Sequence, residues 1–225
     1  MKKQNVIDLT HSISDKIPAW DGKPYFEIVT TTDYKDCVPP DLFRIQKVSI
    51  GMSVGTHIDA PAHVIPGGRT IDQLTPEELV AACVVIDVSK ETDEKYLIMP
   101  SAIEKFEKEH GKIPERSLVI FYTGWSKHWE TPEKYHNNHV FPGVDITTAE
   151  LLLERNIVGV GIDTFSCDTG KNGFPVHRTL LGADKYLIEN VANAHVLPAI
   201  GAKVVVAPMK IKNATEAPLR LIALL

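Results

Sequence analysis

Apolar and polar positions fall along this chain in two registers. Short runs of β-branched and apolar residues between turn signals recur at Val6 to Thr10, Phe26 to Thr31, Arg44 to Ile50, Cys83 to Val88, Leu118 to Tyr122, Ile157 to Ile162, Lys203 to Ala207 and Leu219 to Ala223, and each predicts a strand. Three further stretches open on helix-start signals. Thr75-Pro76-Glu77-Glu78 reads as a capping box with proline at the first helical position, where its missing N–H costs nothing. Ser101-Ala102-Ile103-Glu104 and Thr147-Thr148-Ala149-Glu150 repeat the box without the proline, each ahead of an amphipathic stretch, and Gly111 stands just past the second helix. The pattern predicts a mixed α/β protein.

The runs Cys83 to Val88, Leu118 to Tyr122 and Ile157 to Ile162 are nearly all apolar, as strands covered on both faces are, and so belong at the centre of a sheet. The last two each follow a capped helix, which predicts right-handed crossovers and partly parallel pairing. Chemistry in such sheets gathers at or just beyond strand ends, where Thr123-Gly124-Trp125 and Asp163-Thr164-Phe165-Ser166-Cys167-Asp168 fall. Leu219 to Leu225 is too apolar for a frayed tail and is expected in the core or under another subunit. No repeat or Ser/Gly linker divides the 225 residues, so one domain spanning residues 1–225 is expected.

Composition narrows the partners. A net charge of -5 without a basic run argues against nucleic acid and anionic membrane, leaving a small-molecule substrate. The two lysines of the start have no apolar segment behind them, and the longest apolar run, Leu79 to Ile86, is too short to span a bilayer, so a cytoplasmic protein is expected. Cys37, Cys83 and Cys167 lack Cys-x-x-Cys spacing and read as buried or idle thiols, with no context for an activated thiolate at Cys167. Gly159 and Gly161 lack the third glycine of a dinucleotide fingerprint.

One segment stands apart: SVGTHIDAPAHVIPGG, residues 53–68. If Thr56 to Asp59 is extended, His57 and Asp59 share a face about 7 Å apart at their backbones. Pro61 fixes a turn able to bring His63 back toward that face, and Gly55 lets the backbone approach closely. Two imidazoles and a carboxylate gathered in this way suit a divalent ion, although a hydrogen-bonded polar turn has the same spacing. His177 fits a loop histidine as well as a ligand, and Glu189 fits the cap of a helix beginning at Asn190. His110, His128, His136 and His139 lie in charged segments expected at the surface.

The string Gly55 to His63 resembles the signature H-x-G-T-H-x-D-x-P-x-H of the cyclase family of metal-dependent hydrolases, which includes kynurenine formamidase and isatin hydrolase. Other landmarks follow in the family's order: Ile7 to His11 with Pro18-Ala19-Trp20, Tyr122 to Trp125, Phe141-Pro142-Gly143, Gly161-Ile162-Asp163 with Ser166 and Asp168, and His177 with Glu189. The resemblance implies a swivelling β/β/α-type fold with a mixed central sheet, assembled as a homodimer or homotetramer and holding one or two divalent ions, zinc or manganese. It implies His57 and Asp59 as metal ligands, with Asp59 able to bridge two ions, and His177 and Glu189 as ligands of the second ion. It also implies His63 as general acid/base and Trp20 as an aromatic lining the substrate pocket. The implied activity is hydrolysis of an amide, lactam or ester-like bond by metal-activated water.

Where the family signature begins with a metal-binding histidine, this chain has Ser53, whose hydroxyl is a weak ligand at neutral pH. Three arrangements are open: one ion held by His57, Asp59, His177 and Glu189, a looser dinuclear site, or a site without metal. The first is preferred, and His11 and Gln46 are the candidates to replace the lost imidazole. Ser53 also admits a non-catalytic binding member of the fold, and a lyase or dehydratase would use the same ion. Trp20, Trp125 and Trp129 suggest room for a flat or apolar group.

Overall fold

The computed structural model describes residues 5–23, 25–169 and 173–225. Its strands are β1 (Val6–Asp8), β2 (Phe26–Thr32), β3 (Ile45–Ile50), β4 (His57–Asp59), β5 (Val80–Asp87), β6 (Leu97–Ile98), β7 (Leu118–Tyr122), β8 (Gly143–Val144), β9 (Gly159–Ile162), β10 (Tyr186–Glu189), β11 (Ala202–Pro208) and β12 (Glu216–Leu224). The α-helices are α1 (Pro76–Leu79), α2 (Pro100–His110), α3 (Pro132–His136), α4 (Ile146–Glu154) and α5 (Pro175–Gly182).

Eight strands form one sheet in the order β1-β12-β11-β5-β7-β9-β10-β4, and β4 pairs back onto β12. The sheet therefore closes into a barrel-like ring. β5, β7, β9 and β10 run parallel, as the crossovers through α2 and α4 predict, while β4, β11 and β12 join antiparallel. One edge of β12 is shared: its first three residues face β4 and its last three face β1.

Alternation along the strands separates two cores. Ala81, Cys83 and Val85 of β5, Leu118 and Ile120 of β7, and Tyr186 and Ile188 of β10 fill the inside of the ring. Val84 and Ile86, Val119 and Phe121, and Leu187 point outward beneath Ile103 and Phe106 of α2, Leu152 of α4 and Leu180 of α5. Burial on both faces is why these strands read as unbroken apolar runs. β11 and β12 alternate instead, with Lys203 and Arg220 exposed between buried neighbours. In β9 a Cβ at Gly159 would sit 2.5 Å from the Tyr186 ring, so these glycines serve strand packing.

Helix starts differ from the sequence pattern. The Thr75 box forms, with Thr75 N–H donating to Glu78 at 2.8 Å, but its helix lasts one turn because the β-branched run from Val80 enters the sheet at once. Ser101 is not a cap; α2 begins a residue earlier, with Pro100 in its first turn. Nor is Thr147, because Asp145 accepts its N–H at 2.9 Å and a carboxylate suits the positive end of a helix better. β4, β10, α3, α5 and the two-residue pair β6 and β8 lie outside the predicted strands and helices.

Among the described residues, the hairpin of β2 and β3 pairs only with itself. Ile28, Val29, Val38, Leu42, Phe43, Ile45 and Val48 on and around it are all exposed. Among the described residues no helix is long and apolar enough to cross a membrane.

Candidate metal centre

β4 is three residues long and sits between β10 and β12. Its middle residue, Ile58, enters the inner core, so by alternation His57 and Asp59 point to the outer face of the ring, as the extended reading of this segment predicts. Glu189, the last residue of β10, is the cross-strand partner of His57 and points outward with it. Glu189 thus ends a strand and does not cap a helix. His177 comes down onto the same spot from the first turn of α5, where it is buried rather than a loop histidine.

Each imidazole is turned by a partner at Nδ1. His57 Nδ1 stands 2.9 Å from the Gly55 carbonyl, a contact that needs the left-handed backbone of Gly55 at φ 70°. His177 Nδ1 stands 2.8 Å from Asp168 Oδ2, and the Asp168 carboxylate also accepts the backbone N–H of Val176 at 3.1 Å and of His177 at 2.9 Å. One carboxylate thereby caps α5 and orients its histidine. Both rings are left presenting Nε2 to the centre.

Around that centre the two carboxylates each span the two imidazoles. Glu189 places Oε2 3.4 Å from His57 Nε2 and Oε1 3.2 Å from His177 Nε2. Asp59 places Oδ1 3.6 Å from His57 Nε2 and Oδ2 3.4 Å from His177 Nε2. All four residues are buried, yet Asp59 Oδ1 and Glu189 Oε1 make no directed hydrogen bond among the described residues. Donors aimed at a common point and not at one another are what a cation requires. One donor atom from each of His57, Asp59 and Glu189 lies within 4.8 Å of the others, and so does one from each of Asp59, His63 and His177, so Asp59 belongs to both groups. Either group could hold a divalent cation, with Asp59 shared between them.

Electrostatics make the same demand. Burial works against charge on His57, but the facing Glu189 and Asp59 carboxylates outweigh it and push the ring up to about 9. His177 is likewise driven well above its ordinary range, against burial, by Asp168, Asp59 and Glu189. Glu189, despite burial, is held down to about 2 by the two imidazoles. A group of buried carboxylates that calls for positive charge can take it as protons or as a metal ion.

A cavity of about 420 Å³ opens over this centre, lined by Trp20, Tyr25, Phe165 and Phe174 on its apolar side and by His63, Ser166 and Glu216 on its polar side. His63 follows the turn at Pro61 and returns toward Asp59 and His177, so that one donor atom from each lies within 4.8 Å of the others. It is the more open histidine, with 32% of its side chain accessible, and Glu216 Oε2 stands 3.4 Å from its Nδ1. Burial lowers the His63 imidazole, but Glu216 and Asp59 outweigh it and raise the ring above its ordinary value.

Other sequence expectations need correction. His136 and His139 are not simply surface groups, because both place Nε2 on the Trp20 carbonyl, at 2.9 and 2.5 Å, and His139 stacks on the indole with ring centroids 4.2 Å apart. Trp20 does line the cavity, but Trp125 and Trp129 do not; they are buried with Tyr135 and Phe141 in a third core behind it. Neither candidate replacement for the lost imidazole reaches the centre: His11 stacks on Trp129 at 3.8 Å, and Gln46 donates to Thr30 within the exposed hairpin. Ser53 is exposed at the cavity wall. Cys37, Cys83 and Cys167 are free, and burial pushes the Cys167 thiol well above its usual range, leaving it inert. Glu216 was not singled out in the sequence, where nothing local links it to His63.

Comparison with known proteins finds relatives over nearly the whole chain. A family model described as putative cyclase matches residues 7–169. Isatin hydrolase of Roseibium aggregatum is 32% identical over 242 residues, covering 97% of this chain and 91% of that protein. Kynurenine formamidase of Bacillus cereus is 24% identical over 221 residues, covering 98% of this chain and 97% of that protein. The structure of isatin hydrolase A from Ralstonia solanacearum superposes with a TM-score of 0.91 at 32% identity, covering 99% of this chain and 92% of that one.

Proposed function

The chain belongs to the cyclase family, and on that premise we propose that it hydrolyses a C–N amide bond, cyclic or open-chain, in a small molecule carrying a flat or apolar group. The observation that carries this reading is the pair of buried carboxylates, Asp59 and Glu189, each spanning His57 and His177. We assign these four residues as ligands of a divalent metal centre, with Asp59 shared between the His57–Glu189 side and the His177 side. These donors converge without Ser53, which does not favour a binding-only member that has lost its metal. Its mixed nitrogen and oxygen donors suit zinc or manganese.

A cation held there supplies Lewis-acid polarisation of the scissile carbonyl and acidifies water at neutral pH. The protein's own groups supply the rest. Trp20, Phe165 and Phe174 hold a flat substrate against the apolar wall, and the third core behind them keeps that wall rigid. His63, open to the cavity, takes a proton from the attacking water and returns it to the leaving nitrogen. Asp168 keeps His177 turned toward the centre.

Homodimer or homotetramer formation is supported by the apolar side chains left exposed on the β2–β3 hairpin. Cytoplasmic location is supported by three unpaired thiols. The testing experiment combines elemental analysis with hydrolysis of isatin and of an N-formyl arylamine in oxygen-18 water. The expected result is one or two ions per chain and a single labelled oxygen in the acid product; protein that binds no added zinc or manganese, or a product without label, rejects the proposal.

A further inference from the structure

Glu216 opens β12 directly opposite Asp59 of β4. Ala217 beside it enters the inner core, so Glu216 points to the outer face of the ring, on the same side as the candidate metal ligands. Its side chain is 18% accessible, lines the cavity and brings Oε2 to 3.4 Å from His63 Nδ1.

We propose that Glu216 is the positioning residue of His63: it accepts a hydrogen bond from Nδ1–H, selects the tautomer whose Nε2 lone pair faces the cavity, and balances the ring's charge once Nε2 is protonated. The proposal rests on the reading of His63 as the proton carrier. It follows the rule already seen at the centre, where Gly55 and Asp168 hold Nδ1 of His57 and His177. A carboxylate is the fitting partner for His63, because a ring that shuttles a proton is transiently an imidazolium and a neutral carbonyl offers it less compensation. The turn at Pro61 fixes the backbone of His63, but its partly accessible ring has two faces it can turn to the cavity. Glu216 removes that freedom.

The test is nitrogen-15 NMR of imidazole-labelled, zinc-loaded protein, with the His63 signals assigned by their loss in His63→Ala. Wild type is expected to show Nδ1 protonated and Nε2 bare, and Glu216→Ala to show averaged tautomers with zinc content and melting temperature unchanged. Against isatin as probe, Glu216→Ala should lower kcat about 10–100-fold with KM altered less than about twofold. Unchanged His63 nitrogen shifts in Glu216→Ala overturn the proposal, and so does loss of zinc, which would make Glu216 a ligand. His63→Ala turning over isatin like the wild type removes instead the reading beneath it.

Discussion

Asp168 and His177 are joined twice, once through the imidazole Nδ1 at 2.8 Å and once through the backbone N–H of His177 at 2.9 Å. The carboxylate therefore sets both where α5 begins and which nitrogen its histidine offers. Removing it in Asp168→Ala frees the ring and leaves the helix start uncapped. Zinc affinity should fall about 10–100-fold, read by competition with a coloured chelator.

Asp59 and His63 occupy the same cavity but differ in what they touch. Asp59 faces both buried imidazoles, whereas His63 faces Glu216 and solvent. Asp59→Ala is expected to lose both the ion and turnover, and His63→Ala to keep the ion while losing turnover by about 10²–10⁴-fold. Metal content and rate measured on the same preparations check this, and equal metal with equal activity in the two variants contradicts it.

His11 carries a buried Nε2 with no hydrogen-bond partner, and burial lowers its ring to about 4. In the unfolded chain the same ring titrates near its ordinary value of 6.5. Below that value the unfolded state binds a proton that the folded state refuses, so stability present above pH 6.5 is lost progressively as pH falls toward 4. His11→Phe keeps the stack on Trp129 and removes this loss, which should recover on the order of 2–3 kcal/mol at pH 4 and much less at pH 7. Urea unfolding of both proteins at the two pH values measures it.

The β2–β3 hairpin exposes Leu42 and Phe43 beside Ile45 and Val48. If these side chains are covered by a second copy, Leu42→Asp with Phe43→Ser should halve the mass seen by light scattering at low micromolar concentration. An unchanged mass would place the subunit contact elsewhere.

How much of this was legible in the sequence follows from range. β5, β7 and β9 declared themselves because double-sided burial leaves no polar position to confuse the reading. His57 and Asp59 declared their shared face because a strand's period is two and three residues suffice to fix it. α5 did not, because its cap is not the preceding residue but Asp168, several positions earlier in the sequence. β10, at four residues, is as short as a single helical turn, and Tyr186-Leu187-Ile188 suits either. Glu216 was invisible for a topological reason: it meets His63 only because β12 closes on β4. His136 and His139 misled because their neighbours are charged and solvated while their rings turn inward to Trp20.

That closure has a further meaning for how the protein lives with its metal. β4 is stitched along both edges by backbone ladders, so its donors stand in place before any cation arrives. Loading is then a docking event and not a folding event, unlike the small zinc modules that collapse when stripped. Stripped of metal by a chelator, the chain is expected to keep its fold, as circular dichroism would show.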